Sequence, residues 1–165
     1  MIAMLLTLAL ALTPPAHAGK LADGWKGLPY GPDTVLAQPP LPGCTPNPEP
    51  GVRWLCDDDI GGAKVQVAYI AAEGYFKGVG IFCKGYTTCS ALRDVFAAAW
   101  GAGWAAHDFD TGAMADWYWR DGTVRAAWEF NRYSDKGQAF TWDVEVGKKI
   151  ESIEAERARN AANAL

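Results

Sequence analysis

The sequence predicts an α+β fold: a single small domain in which an antiparallel sheet is covered on one face by helices, in the order arm-β-β-α-β-β-β-α. Three observations predict it. Alternating apolar residues recur from residue 63 onward, two hairpin turns join neighbouring runs, and two segments switch to the helical period.

The chain opens MIAMLLTLALALTPPAHA, an apolar run ending in Ala16-His17-Ala18, the small-x-small shape of a signal-peptidase site. Residues 1–18 are therefore read as a signal peptide. The n-region has no Lys or Arg, but the apolar run is too short for a membrane span and its prolines suit no globular helix. The expected product is exported, periplasmic or secreted, with no transmembrane segment.

All ten prolines lie between residues 14 and 50. Proline removes a backbone donor and fixes φ, so residues 19–50 are read as a proline-rich N-terminal arm of extended pieces and turns. Trp25, Leu28, Tyr30, Val35, Leu36 and Leu41 give it reason to lie against the rest. Residues 51–165 form the expected disulfide-braced domain. Four cysteines in an exported chain imply an oxidised framework, and the locally simplest of three pairings is Cys44 with Cys56 and Cys83 with Cys89.

Within that domain AKVQVAYI (63–70) places Val65, Val67 and Tyr69 on one face, and YFKGVGIFC (75–83) returns beside it. Gly78 and Gly80, on the face given to Phe76 and Phe82, signal something packed closely over the strand. A helix or aromatic ring of the same chain fits that signal better than a ligand. The helix that follows takes Ser90 as N-cap and buries Leu92, Val95, Phe96, Ala99 and Trp100 before Gly101.

In DWYWRDGTVRAAWEF, Asp121-Gly122 supplies a type I′ turn that pairs Arg120 with Thr123 and gathers Trp117, Trp119, Trp128 and Phe130 on one face. A three-residue Asp135-Lys136-Gly137 loop then sets Phe130 opposite Trp142. It places Phe140, Trp142, Val144 and Val146 inside, with Ala139, Thr141, Asp143 and Glu145 outside and Asp143 near Glu129. KKIESIEAERARNAA (148–162) ends the chain as a thinly attached helix.

The inventory for chemistry is thin. Cys83 and Cys89 are separated by five residues rather than two, so they read as a brace at a strand-to-helix turn and not as a thioredoxin-like pair. His107 is the one histidine after residue 18; with Asp108 and Asp110, or with Asp57-Asp58-Asp59 elsewhere, it makes a poor metal set, and both acidic clusters read as solvated loops. No metal or cofactor is expected. There is no Gly-x-Ser-x-Gly elbow, no Walker loop and no dinucleotide fingerprint. A net charge of −4 without a basic block gives no footprint for nucleic acid.

Those readings favour a non-enzymatic protein that binds another envelope or extracellular protein as an accessory factor, inhibitor or immunity component. Tyr118, Arg125, Glu129, Arg132 and Tyr133 are its candidate binding face, since Tyr and Arg are enriched at interfaces. The alternative is a carrier holding an apolar ligand or glycan in a tryptophan-lined pocket, and a small hydrolase using His107 or the sheet carboxylates ranks below both.

Overall fold

Alternation in the sequence becomes one continuous sheet. The computed structural model describes residues 20–107 and 113–163, so the expected signal peptide and Asp108 and Asp110 lie outside the described residues. The strands are β1 (Gly31–Pro32), β2 (Thr45–Pro46), β3 (Val52–Ile60), β4 (Ala63–Ala72), β5 (Tyr75–Lys84), β6 (Trp104–His107), β7 (Met114–Asp121), β8 (Val124–Asn131) and β9 (Lys136–Asp143). Two helices, α1 (Tyr86–Trp100) and α2 (Val144–Asn163), flank them. Every pairing is antiparallel, in the order β2-β3-β4-β5-β9-β8-β7-β6, with β1 beside the start of β5. The protein is a small α+β domain with a multi-stranded antiparallel sheet flanked by helices.

Helix α1 defines the core face. Its stripe of Leu92 and Phe96 is buried against Val67 and Tyr69 of β4, Val79 and Ile81 of β5, Ala139 of β9, Trp128 and Phe130 of β8, and Trp119 of β7. Rings supply much of that apolar area. Phe96 stacks on Trp100 at 4.4 Å and meets Trp119 edge-on at 5.8 Å, while Trp117 and Trp128 meet at 6.0 Å under the guanidinium of Arg93. The buried indole N–H of Trp128 donates to the carbonyl of Cys89 at 2.8 Å, so its burial leaves no donor stranded.

Residues 20–50 complete this core. Leu21, Trp25 and Leu36 are buried, and Leu28, Tyr30, Val35 and Leu41 pack partly against the cluster. Polar contacts tie the segment down: Tyr30 donates its hydroxyl to Thr141 Oγ1 at 2.7 Å, Trp54 Nε1 donates to the Leu36 carbonyl at 2.9 Å, and Lys26 pairs with Asp58. Cys44 and Cys56 are bonded, as are Cys83 and Cys89, the pairing expected from spacing.

Several expectations are corrected. Asp57-Asp58-Asp59 lie in β3 rather than in a solvated loop; Asp58 points to the core side, where Lys26 neutralises it, and its two neighbours are exposed. Gly85, not Ser90, caps α1, and Ser90 turns its hydroxyl back to the Tyr86 carbonyl at 2.8 Å. The β7–β8 turn slips by one residue at each strand end, so Asp121 pairs with Val124 and Trp119 with Ala126. That slip preserves parity, and the aromatic face survives it.

Strand β9 is the larger correction. Trp128 lies opposite Ala139 and Phe130 opposite Gly137, which puts Gly137, Ala139 and Thr141 inside and Phe140 and Trp142 on the far face. Space explains the inversion. A Cβ on Gly137 would sit 2.8 Å from the sulfurs of both Cys83 and Cys89, so small residues must underlie the disulfide and α1. Glu129 meets Gln138 rather than Asp143, at 2.8 Å. Asp143 instead caps α2, accepting the Val146 N–H at 2.9 Å, so Val144 and Val146 belong to the helix, which starts four residues before the expected Lys148.

Candidate functional site

The sheet face opposite α1 holds the most side chains with unassigned work. Register fixes its rows. One runs Trp104, Tyr118, Ala127, Phe140, Gly80, Ala68 across β6, β7, β8, β9, β5 and β4, and the next toward the α2 end runs Arg120, Arg125, Trp142, Gly78, Ile70. Beside the first row, toward the β8–β9 loop, lie Asp116, Glu129, Gln138 and Phe82. Among the described residues, three of the five exposed large hydrophobics belong to this face: Trp104 at 51 %, Phe82 at 41 % and Met114 at 41 %. Scattered exposed apolar residues are ordinary; a gathered set marks a contact surface.

Gly80 explains part of the relief. A Cβ there would meet the Phe140 ring at 3.3 Å, so the ring of the same chain lies over the glycine, as the strand glycines implied. A bulge between β4 and β5 makes Lys77 the extra residue and shifts Phe76 to the core side, away from the face shared by Gly78, Gly80 and Phe82. Two hollows result. One of 410 Å³ is lined by Ile70, Lys77, Gly78, Tyr118, Ala127, Glu129, Phe140 and Trp142 among others, and one of 280 Å³ by Phe82, Met114, Glu129, Asn131, Lys136 and Gln138 among others.

Of the residues singled out in the sequence, Tyr118, Arg125 and Glu129 stand on this face, in three adjoining rows. Arg132 and Tyr133 do not join them; they sit in the β8–β9 loop, with the Arg132 guanidinium 5.6 Å from the Tyr133 ring. Arg125 is held by the carbonyls of Gly122 and Val124 at 2.8 and 2.9 Å. Sequence reasoning missed Phe140 and Trp142, assigned to the core, and Lys77, Trp104 and Met114, not assigned at all, while Phe82 was given its face but no role. The small alternating set Gly137, Ala139, Thr141 was the available signal for Phe140 and Trp142.

At the β6–β7 edge a polar cluster forms around Asp116. Its carboxylate accepts the backbone N–H of His107 at 2.6 Å, the His107 Nδ1–H at 3.0 Å and the Tyr118 hydroxyl at 3.0 Å. A carboxylate can only accept, so Nδ1 carries the proton and Nε2 is left to solvent on a side chain that is 67 % exposed. Burial works to raise the Asp116 pKa, but the hydrogen bonds from His107 and Tyr118 outweigh it and hold the carboxyl below its usual range. The same hydrogen bond, with burial, raises the Tyr118 hydroxyl. This arrangement orients an imidazole, while the Trp104 ring stacks on Tyr118 at 6.0 Å.

Among the described residues no three His, Cys, Asp or Glu side chains gather in a way that could hold a metal ion, and no helix is long and apolar enough to cross a membrane. The tryptophans read as core beneath the helix include Trp119, 2 % exposed, and Trp128, 0 % exposed, so the space under α1 that the carrier alternative would use is filled there. Comparison of the chain with family models, with curated proteins and with solved structures finds no match.

Proposed function

We propose that this is a non-enzymatic binding protein, acting outside the cytoplasm, that docks another protein on the open face of its sheet. The observation that carries the reading is the gathering of Trp104, Phe82 and Met114 on that face, beside Tyr118, Phe140 and Trp142. Apolar rings bordered by Arg120, Arg125, Glu129 and Lys136 have the make-up of an interface core with a polar rim. Export is an expectation from residues 1–18, and two disulfides suit an oxidising compartment.

A photo-crosslinking residue placed at Phe82 or Trp104 in the source cells tests the reading. One recurrent protein adduct from those positions, absent from control positions Glu151 and Ser152 on the exposed side of α2, is the expected result. Equal adducts from face and control positions, or none from the face, would sink it.

Carriage of a small apolar ligand is a second reading. It draws on the 410 Å³ groove within the same face, a volume in the range of ligand sites and walled by Phe140, Trp142 and Tyr118.

A further inference from the structure

We infer that the groove on the open face is a site for an anionic amphiphile: an apolar tail lies on Phe140, Trp142, Ile70 and Ala127, and its carboxylate meets Lys77. The inference rests on the carrier reading and names its ligand class.

The groove is polarised. Lys77 is the cation in its lining, and among the described residues it forms no ion pair. The β-bulge puts it there. As the extra residue between Phe76 and Gly78 it escapes strict alternation, and its stem runs beside Gly147 in the second turn of α2, where a Cβ would lie 3.8 Å from Lys77 Cε. The carboxylate of the lining, Glu129, stands at the other end. Register puts it beyond the Ala127–Phe140 pair from the Arg125–Trp142 pair that adjoins Gly78 and Lys77, and it takes the Gln138 amide at 2.8 Å. An anion is therefore attracted at one end and repelled at the other, which orients the molecule.

Between those ends the floor is apolar and low. Gly78 and Ala127 line that floor between the rings, and Gly78 is there because a Cβ would strike the Thr141 carbonyl of β9. Glu129 and three aromatic rings could in principle receive a cation instead. Glu129, however, already has a partner in Gln138, whereas Lys77 has no ion-pair partner among the described residues, and that difference favours the anion.

Isothermal titration of the whole exported protein with decanoate and with decyltrimethylammonium, both below their micelle concentrations, tests the assignment. The tails match and the charges oppose. Decanoate should bind at least about tenfold tighter than the cation, given the worth of a hydrogen bond to a charged group. Its affinity should rise about fourfold for each methylene added from hexanoate, the equivalent of burying one methylene. Lys77→Gln should weaken decanoate about tenfold and leave decyltrimethylammonium unchanged, a split that a general loosening of the fold would not produce.

If neither probe binds, the carrier reading itself falls. If both bind alike, or if Lys77→Gln leaves decanoate untouched, the groove still takes apolar tails but the anion assignment is wrong. Ala127→Leu, which fills the floor without changing charge, should weaken both probes together; a protein that still binds both normally would move the site elsewhere and overturn the inference.

Discussion

Replacing Gly137 with alanine should destabilise the protein in a way that depends on the disulfide above it. The backbone there is not in the left-handed region, so no strain follows from the φ angle. The added Cβ would lie 2.8 Å from Cys83 Sγ, 2.8 Å from Cys89 Sγ and 3.0 Å from the Glu129 carbonyl. Overpacking of a tight core costs about 1–3 kcal/mol, and the alanine's lower unfolded-state entropy returns about 0.4–1 kcal/mol, so a net loss of about 1–2 kcal/mol is expected.

Changing both Cys83 and Cys89 to alanine removes the two sulfurs. That change should itself cost about 2 kcal/mol by releasing the closed loop between residues six apart. In this background the two nearest clashes of Gly137→Ala are gone and the Glu129 carbonyl at 3.0 Å remains, so its cost should fall to well under about 1 kcal/mol. The coupling, about 1–2 kcal/mol, is read from urea unfolding of the four proteins in the cycle, with the Cys44–Cys56 bond intact, by tryptophan fluorescence. Additivity within about 0.5 kcal/mol would refute the account of why β9 turns its small residues inward.

Asp143→Ala should remove the α2 cap and the 2.7 Å bond from the Thr123 hydroxyl, costing about 1–2 kcal/mol, with amide exchange accelerating over residues 144–150 before the rest of the helix. Unchanged exchange there would show that tertiary contacts, not the cap, start the helix. At high pH the hydroxyls of Tyr30 and Tyr69 should resist ionisation, since burial pushes both up to about 12. Their folded pKa values lie above the unfolded ones, so the folded state holds more protons. Stability is then full below pH 10 and falls between about 10 and 12. Phenolate absorbance should rise for these two together with loss of near-ultraviolet dichroism; early ionisation in an intact fold would contradict their burial.

Much of the sheet was legible because parity is robust. Trp117, Trp119, Trp128 and Phe130 keep their face even though the turn slips by one residue, since both strands shift together. The inward set of β9 was not legible. Gly137, Ala139 and Thr141 read as solvent-facing on local hydrophobicity, and only the disulfide, α1 and the Tyr30 hydroxyl above them show why larger residues cannot enter. The candidate site inherits that error, because its two central rings, Phe140 and Trp142, are the other half of the same alternation. Asp58 failed differently: an acidic triplet looked solvated until Lys26, thirty-two residues earlier, supplied its counter-charge. Tyr118, Arg125 and Glu129 were placed on the outward side by parity alone, and they stand there.

The joining of residues 20–50 to the core has a consequence for the timing of synthesis. Tyr30 finds Thr141 across a separation of 111 residues, and Ala22 donates its amide to Asp121 across 99. A chain emerging amino end first can seat the turn at Leu36 once β5 has followed and Trp25 once Phe96 has, but the turn at Leu21 waits for β7 and β8 and the Tyr30 hydroxyl for β9. Non-local closure of this kind slows folding. A ribosome paused before β7 would present a chain with Leu21 still available to a chaperone, and release of that chaperone would report the arrival of β7 and β8.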